Sequence, residues 1–82
     1  MELVQLTEKL IKALVVNKDI VSVKEFESDE ENTVLIQVMV DSDDIGRVIG
    51  KSGKNANAVR TLVQASSYLD SNKKVKINID TF

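Results

Sequence analysis

Asp44-Ile45-Gly46-Arg47-Val48-Ile49-Gly50-Lys51-Ser52-Gly53-Lys54-Asn55 is the stretch on which the reading of this chain turns. Two glycines enclose Lys51-Ser52. Before them stands an apolar triple, Ile45, Val48 and Ile49, and after them a helix-like run from Lys54 to Tyr68. Glycine has no Cβ, so a Gly-x-x-Gly turn lets another backbone come closer than any other residue pair would allow. A helix starting at Lys54 aims its unpaired N–H groups and positive dipole end into the same turn. Lys51 and Lys54 flank the turn, and Arg47 and Arg60 lie within about two helical turns of it. The arrangement suits a phosphate backbone lying against a tight loop.

Other glycine motifs fit less well. Gly46-Arg-Val-Ile-Gly50-Lys51-Ser52 looks like a P-loop, but three residues separate its glycines where that motif needs four. An acidic run, Asp41-Ser-Asp-Asp44, precedes it instead of a buried strand, and 82 residues cannot supply the parallel sheet of such a fold. Gly46 and Gly50 also make a Gly-x-x-x-Gly pair, with no apolar stretch of membrane length around it. A lone Gly-x-x-Gly usually marks a plain turn between helices. The full string, in which apolar, glycine and basic residues occur together, is more specific than the two glycines alone.

At 82 residues, 1–82 is expected to be a single domain, small enough that oligomerisation would add stability. Hydrophobic residues make up 43% of the chain, but Phe26, Tyr68 and Phe82 are its only aromatics, so the core is expected to be aliphatic. With neither cysteine nor histidine, disulfides, thiol chemistry, the usual zinc sites and histidine acid–base catalysis are all excluded. We expect no catalytic residue, no metal site, no cofactor and no small-molecule substrate, hence no enzyme. Glu2, Glu8 and Lys9 break up the apolar N-terminus, which reads as neither a signal peptide nor a membrane span. A cytoplasmic protein without a membrane partner is the plain expectation.

The net charge of −2 argues against a strong non-specific polyanion binder. Its distribution says more. Arg47, Lys51, Lys54 and Arg60 stand in a segment free of acids, whereas Glu25, Glu27, Asp29, Glu30 and Glu31 gather in what reads as a hairpin.

Working outward, Leu3, Leu6, Leu10 and Leu14 recur at helical spacing, and the spacing predicts an amphipathic helix ending near Asn17. Ile20 to Glu27 alternates as a strand, with Phe26 on the wrong parity, so a bulge or early end is expected there. Ser28 to Asn32 is a polar turn. Thr33 to Val40 is the strongest strand signal; apolar residues on both faces (Val34, Ile36, Val38, Val40 against Leu35, Met39) predict a central strand, with ordinary sheet packing of Leu35 and Met39 favoured over their lying on an open sheet face. Asp41-Ser-Asp-Asp44 is read as a helix cap, Ser42 capping and Asp43 and Asp44 in the first turn, in preference to a metal cluster. From Lys54 a helix is expected with Ala56, Val59, Leu62/Val63 and Ser66 on its inner face, followed by a half-buried strand over Lys73 to Asp80. The order is α-β-β-α-α-β.

The string Val-Ile-Gly-x-x-Gly-Lys, with the run Gly53-Lys-Asn-Ala-Asn-Ala-Val-Arg-Thr-Leu-Val behind it, resembles the signature of KH domains. The helix-first order resembles their type II topology, an α+β fold with helices on one face of a three-stranded sheet. An isolated domain of this kind is similar to the small bacterial KhpA (YlqC) family of RNA-binding proteins. The resemblance spans the chain and is most specific over residues 45–63.

That resemblance implies a role in post-transcriptional regulation or as an RNA chaperone. Gly50, Lys51, Ser52 and Gly53 would face the backbone of single-stranded RNA, with Lys51 and Lys54 supplying charge. Ile45, Val48 and Ile49 would divide between groove floor and core, and base edges would meet backbone groups of the Thr33–Val40 strand. Arg47 belongs to the same basic set, and Arg60 reads equally as a phosphate ligand or a solvated cation. Where many KH domains carry a bulky aliphatic three residues after the second glycine, this chain has Ala56, which thins an apolar wall. Weak, sequence-tolerant RNA binding by one copy is therefore expected. The resemblance also implies a homodimer, or a heterodimer with a larger KH protein of the KhpB/Jag type. A dimerisation module with little RNA binding of its own is the competing reading.

Overall fold

Val34, Ile36, Val38 and Val40 put four β-branched side chains on one face of a strand, and that strand becomes the middle of the sheet. In the computed structural model, which describes residues 2–82, the chain runs α1 (Leu3–Lys12), β1 (Ser22–Glu27), β2 (Thr33–Val40), α2 (Ile45–Ile49), α3 (Lys54–Asp70) and β3 (Lys74–Thr81). Short 3₁₀ turns lie at Lys18–Ile20 and Lys51–Gly53. The sheet order is β1-β2-β3. β1 pairs antiparallel with β2, from Ser22 opposite Met39 to Glu27 opposite Val34. β3 pairs parallel with β2, from Thr33 beside Lys74 to Val40 beside Thr81. The parallel pairing forces the long crossover that contains α2 and α3.

Ile36, Val38, Val40 and Ile77 of the sheet close against Ile11, Val15, Val48, Val59 and Val63 from the helical layer. The core is aliphatic, as the composition predicts. Two buried hydroxyls find carbonyls: Thr7 donates to Leu3 at 2.7 Å and Ser67 to Lys73 at 2.7 Å.

Several expectations need correction. The first helix stops at Lys12 and not near Asn17. The N–H groups of Val16 and Asn17 donate to the carboxylate of Asp44, at 3.1 and 3.0 Å, and this long-range acceptor replaces the last helical turn. Asp44 is fully buried and makes no capping bond to the following helix, so the capping reading fails. β1 starts at Ser22 and runs without a bulge. Its register sets Phe26 opposite Leu35, on the face away from the helices, and Phe26 stays exposed there. Leu35 and Met39 share that open face, because one helical layer covers only one side of the sheet. On α3, Val63 and Ser67 are buried, while Leu62 is exposed and Ser66 only half-buried.

Candidate functional site

α2 ends because Gly50 adopts φ 77°, ψ 172°, a backbone state open essentially to glycine alone. A Cβ on Gly50 would lie 2.8 Å from Asn55 Cγ and 2.9 Å from the Asn55 backbone nitrogen, so the loop folds directly onto the start of α3. Gly53, at φ 76°, ψ 12°, is the left-handed residue that leads into α3, and Ser52 between them also has positive φ, 55°. The turn holds itself by Gly50 N–H donating to Gly46 at 2.9 Å and Gly53 N–H donating to Gly50 at 3.1 Å. Lys51, Ser52 and Lys54 project into solvent. Among the described residues the ion pairs are Lys12–Glu8, Arg47–Asp44 and Lys76–Glu30, so Lys51 and Lys54 carry uncompensated positive charge.

The remaining predicted residues divide. Val48 is fully buried in the core, and Ile45 and Ile49 are half-buried beside it. The Arg47 guanidinium turns back along α2, donating to the Asp43 carbonyl at 2.9 Å and to Asp44 Oδ1 at 3.2 Å. Asp44 also accepts from the Asn17 side chain at 3.1 Å. Burial pushes the Asp44 carboxyl up, but the Val16 and Asn17 donors and the Arg47 charge outweigh it and hold the group below the ordinary carboxylate range. This acid–base pair anchors α2 to the loop after α1. It is built for support.

Arg60 lies six residues, about 9 Å, along α3 from Lys54. Its Nη2 donates to the Ile77 carbonyl at 3.4 Å, bridging α3 and β3. That bridge spans a cleft between the two elements, lined by Arg60, Thr61, Gln64, Tyr68, Lys76 and Asn78 among others. The cleft corrects one expectation: β2 is hydrogen-bonded on both sides, so its backbone has no free edge for bases, whereas β3 has an unpaired edge. Apart from Arg60, sequence reading missed these cleft residues because the strand order is invisible in the sequence. It also missed Asn55, whose position in the first turn of a helix, where asparagine favours local backbone bonding, was the available signal.

Against known proteins, the family model for the KhpA/KhpB KH domain matches residues 4–79. The chain is 40% identical over 75 residues to the RNA-binding protein KhpA of Caldanaerobacter subterraneus, covering 92% of this chain and 96% of that one. It is 47% identical over 60 residues to the RNA-binding protein KhpA of Aquifex aeolicus, covering 73% of each. Among solved structures, Aquifex aeolicus Era bound to GDP and aluminium fluoride superposes with a TM-score of 0.71 at 16% identity, over 98% of this chain and 30% of that one. Era in complex with a nucleotide analogue and a segment of 16S ribosomal RNA gives 0.69 at 17% identity, over 96% and 29%. At that identity the likeness to Era is one of fold.

Proposed function

Since the chain belongs to the KhpA/KhpB KH-domain family, we propose that residues 1–82 form a single KH domain that binds single-stranded RNA through the Gly50-Lys51-Ser52-Gly53 loop. The observation that carries this reading is the loop itself: a glycine-specific backbone presenting Lys51, Ser52 and Lys54 to solvent with no acid to neutralise them. Phosphates lie against the loop, and the strand continues past Arg60 into the cleft between α3 and the free edge of β3. Ile45 and Ile49 back the loop, Val48 anchors it in the core, and Arg47 is held by Asp44. No aromatic platform is needed, since the loop holds the backbone and the edge of β3 meets the bases. Three or four phosphate contacts give a log–log salt slope of about −2 to −3. Such a module acts in post-transcriptional regulation or as an RNA chaperone.

Dimerisation is supported by a separate observation. Ala58, Leu62, Ala65 and Leu69 recur along α3 at spacings of four, three and four, and Leu62 and Leu69 are 53% and 91% exposed. An antiparallel copy centred between Leu62 and Ala65 sets Leu62 against Ala65 and Leu69 against Ala58, large into small throughout. A KH domain of the KhpB/Jag type is the alternative partner for the same stripe. Two linked clamps on one RNA raise avidity through effective concentration.

The test is fluorescence anisotropy of a labelled single-stranded RNA at low salt, comparing the protein with a Lys51→Asp, Ser52→Asp variant of unchanged fold and oligomeric state. Binding lost in the variant alone supports the clamp. Equal binding by both, or none by either, overturns it.

A further inference from the structure

Asn55 is the second residue of α3, yet its side chain does not point along its own helix. The amide Nδ2 reaches back across the loop and donates to the carbonyl of Arg47 at 2.7 Å, in the last turn of α2. Carbonyls in a last helical turn have no partner within their helix and need one from elsewhere. The same side chain packs against Gly50, where any Cβ would meet Asn55 Cγ at 2.8 Å and Asn55 Cβ at 3.0 Å. One residue therefore touches both the helix that leads into the loop and the glycine that opens it, from the helix that leaves it.

The geometry points to Asn55 as the positioning residue of the clamp, a staple between α2 and α3 that holds the Gly50–Gly53 loop in its binding shape before any ligand arrives. This rests on the RNA-clamp reading above. The loop has few other ties. Its own backbone bonds are short-range, from Gly50 to Gly46 and from Gly53 to Gly50, and Lys51, Ser52 and Lys54 are exposed. Local bonds close the turn without fixing the angle between the helices on either side. Val48 and Val59 hold the two helices together through the core; Asn55 adds the polar cross-link at the loop itself, and pre-organisation of this kind raises affinity by removing an ordering cost at binding. Asn55 itself need not touch the ligand. Its amide nitrogen is engaged by the Arg47 carbonyl, and the side chain is partly covered by Gly50.

Asn55→Leu keeps the size and branching of the side chain and is no worse a helix former, so the fold is retained while the donor is lost. Asn55→Ala removes both donor and packing. Two readouts separate the staple from the clamp reading. The first is amide hydrogen exchange of the hydrogen-bonded Gly53 and Lys54 N–H groups in the free protein, with the core of β2 as internal reference. Both variants are expected to speed exchange at the loop about five- to tenfold with β2 unchanged, the weight of one lost hydrogen bond. The second is RNA anisotropy, where both are expected to bind about five- to tenfold more weakly with the same salt slope, since no cation is removed. Unchanged loop exchange in both variants overturns the staple, whether or not the protein binds RNA. Faster exchange with unaltered RNA affinity overturns its role in positioning the clamp. If the parent protein binds no RNA, the clamp reading fails and the exchange result alone decides whether Asn55 holds the loop.

Discussion

The three glycines of the 44–55 stretch look interchangeable in sequence, but their surroundings assign each a different response to alanine. At Gly50 the backbone stands at φ 77°, ψ 172°, and a Cβ would sit 2.8–3.0 Å from three atoms of Asn55, one of them backbone nitrogen. The sparse backbone region costs about 1–3 kcal/mol, and displacing Asn55 adds to it, so Gly50→Ala should lose about 2–4 kcal/mol. For a domain of this size that is a fall in Tm of roughly 10–25 °C. Gly53 has a left-handed φ of 76° but an open Cβ position, its nearest neighbour being the Asn57 amide at 3.7 Å. Gly53→Ala should lose about 1–2 kcal/mol from backbone strain alone. Gly46 lies inside α2 with nothing within 4 Å of an added methyl, so Gly46→Ala should gain about 0.5–1 kcal/mol. Urea denaturation of the three variants checks the order. A Gly50→Ala variant no less stable than Gly53→Ala, or a Gly46→Ala variant less stable than the parent, would refute the reasoning.

Two further outcomes follow from the support and the exposed stripe. Because the folded-state pKa of Asp44 is depressed, its ionisation stabilises the fold fully at neutral pH. That contribution is lost only as pH falls below the ordinary aspartate value of about 3.9 and on through the lower folded value. Asp44→Asn should therefore be less stable than the parent at pH 7, with the gap narrowing under acid; a constant gap in thermal melts from pH 7 to pH 3 would contradict this. For the dimer proposed along the α3 stripe, Leu69→Glu should weaken self-association at least about a hundredfold, since symmetry counts each lost leucine contact twice. Sedimentation equilibrium reads this as a shift toward the 9.1 kDa monomer, and an unaltered dimer would place the interface elsewhere.

Local pattern alone was enough for the element order and the loop. Period-two alternation marked Thr33–Val40 and Lys73–Asp80, the latter displaced by one residue from the observed Lys74–Thr81, and Gly50 and Gly53 marked the break between two helices. What escaped depends on pairs far apart in sequence. The bonds from Val16 and Asn17 to Asp44 join residues 28 and 27 positions apart, and nothing local distinguishes that carboxylate from Asp41 or Asp43. Leu35 and Met39 read the same whether a second layer covers them or not. The strand order decided which backbone edge is free, and it moved the groove wall from β2 to β3. Asn55 was legible as a residue fond of backbone carbonyls, but its target lies across a turn whose shape comes only from Gly50.

The parallel pairing of β3 with β2 also sets an order of events during synthesis. The loop and both its helices emerge from the ribosome before Lys74–Thr81, yet the cleft beside them has no second wall until that strand docks. Residues 33 and 74 must meet across the whole crossover, a non-local closure that forms late and slowly. A nascent chain that has released α3 but not β3 thus displays a basic loop without its groove. On the clamp reading proposed above, the groove is complete only once β3 docks against β2.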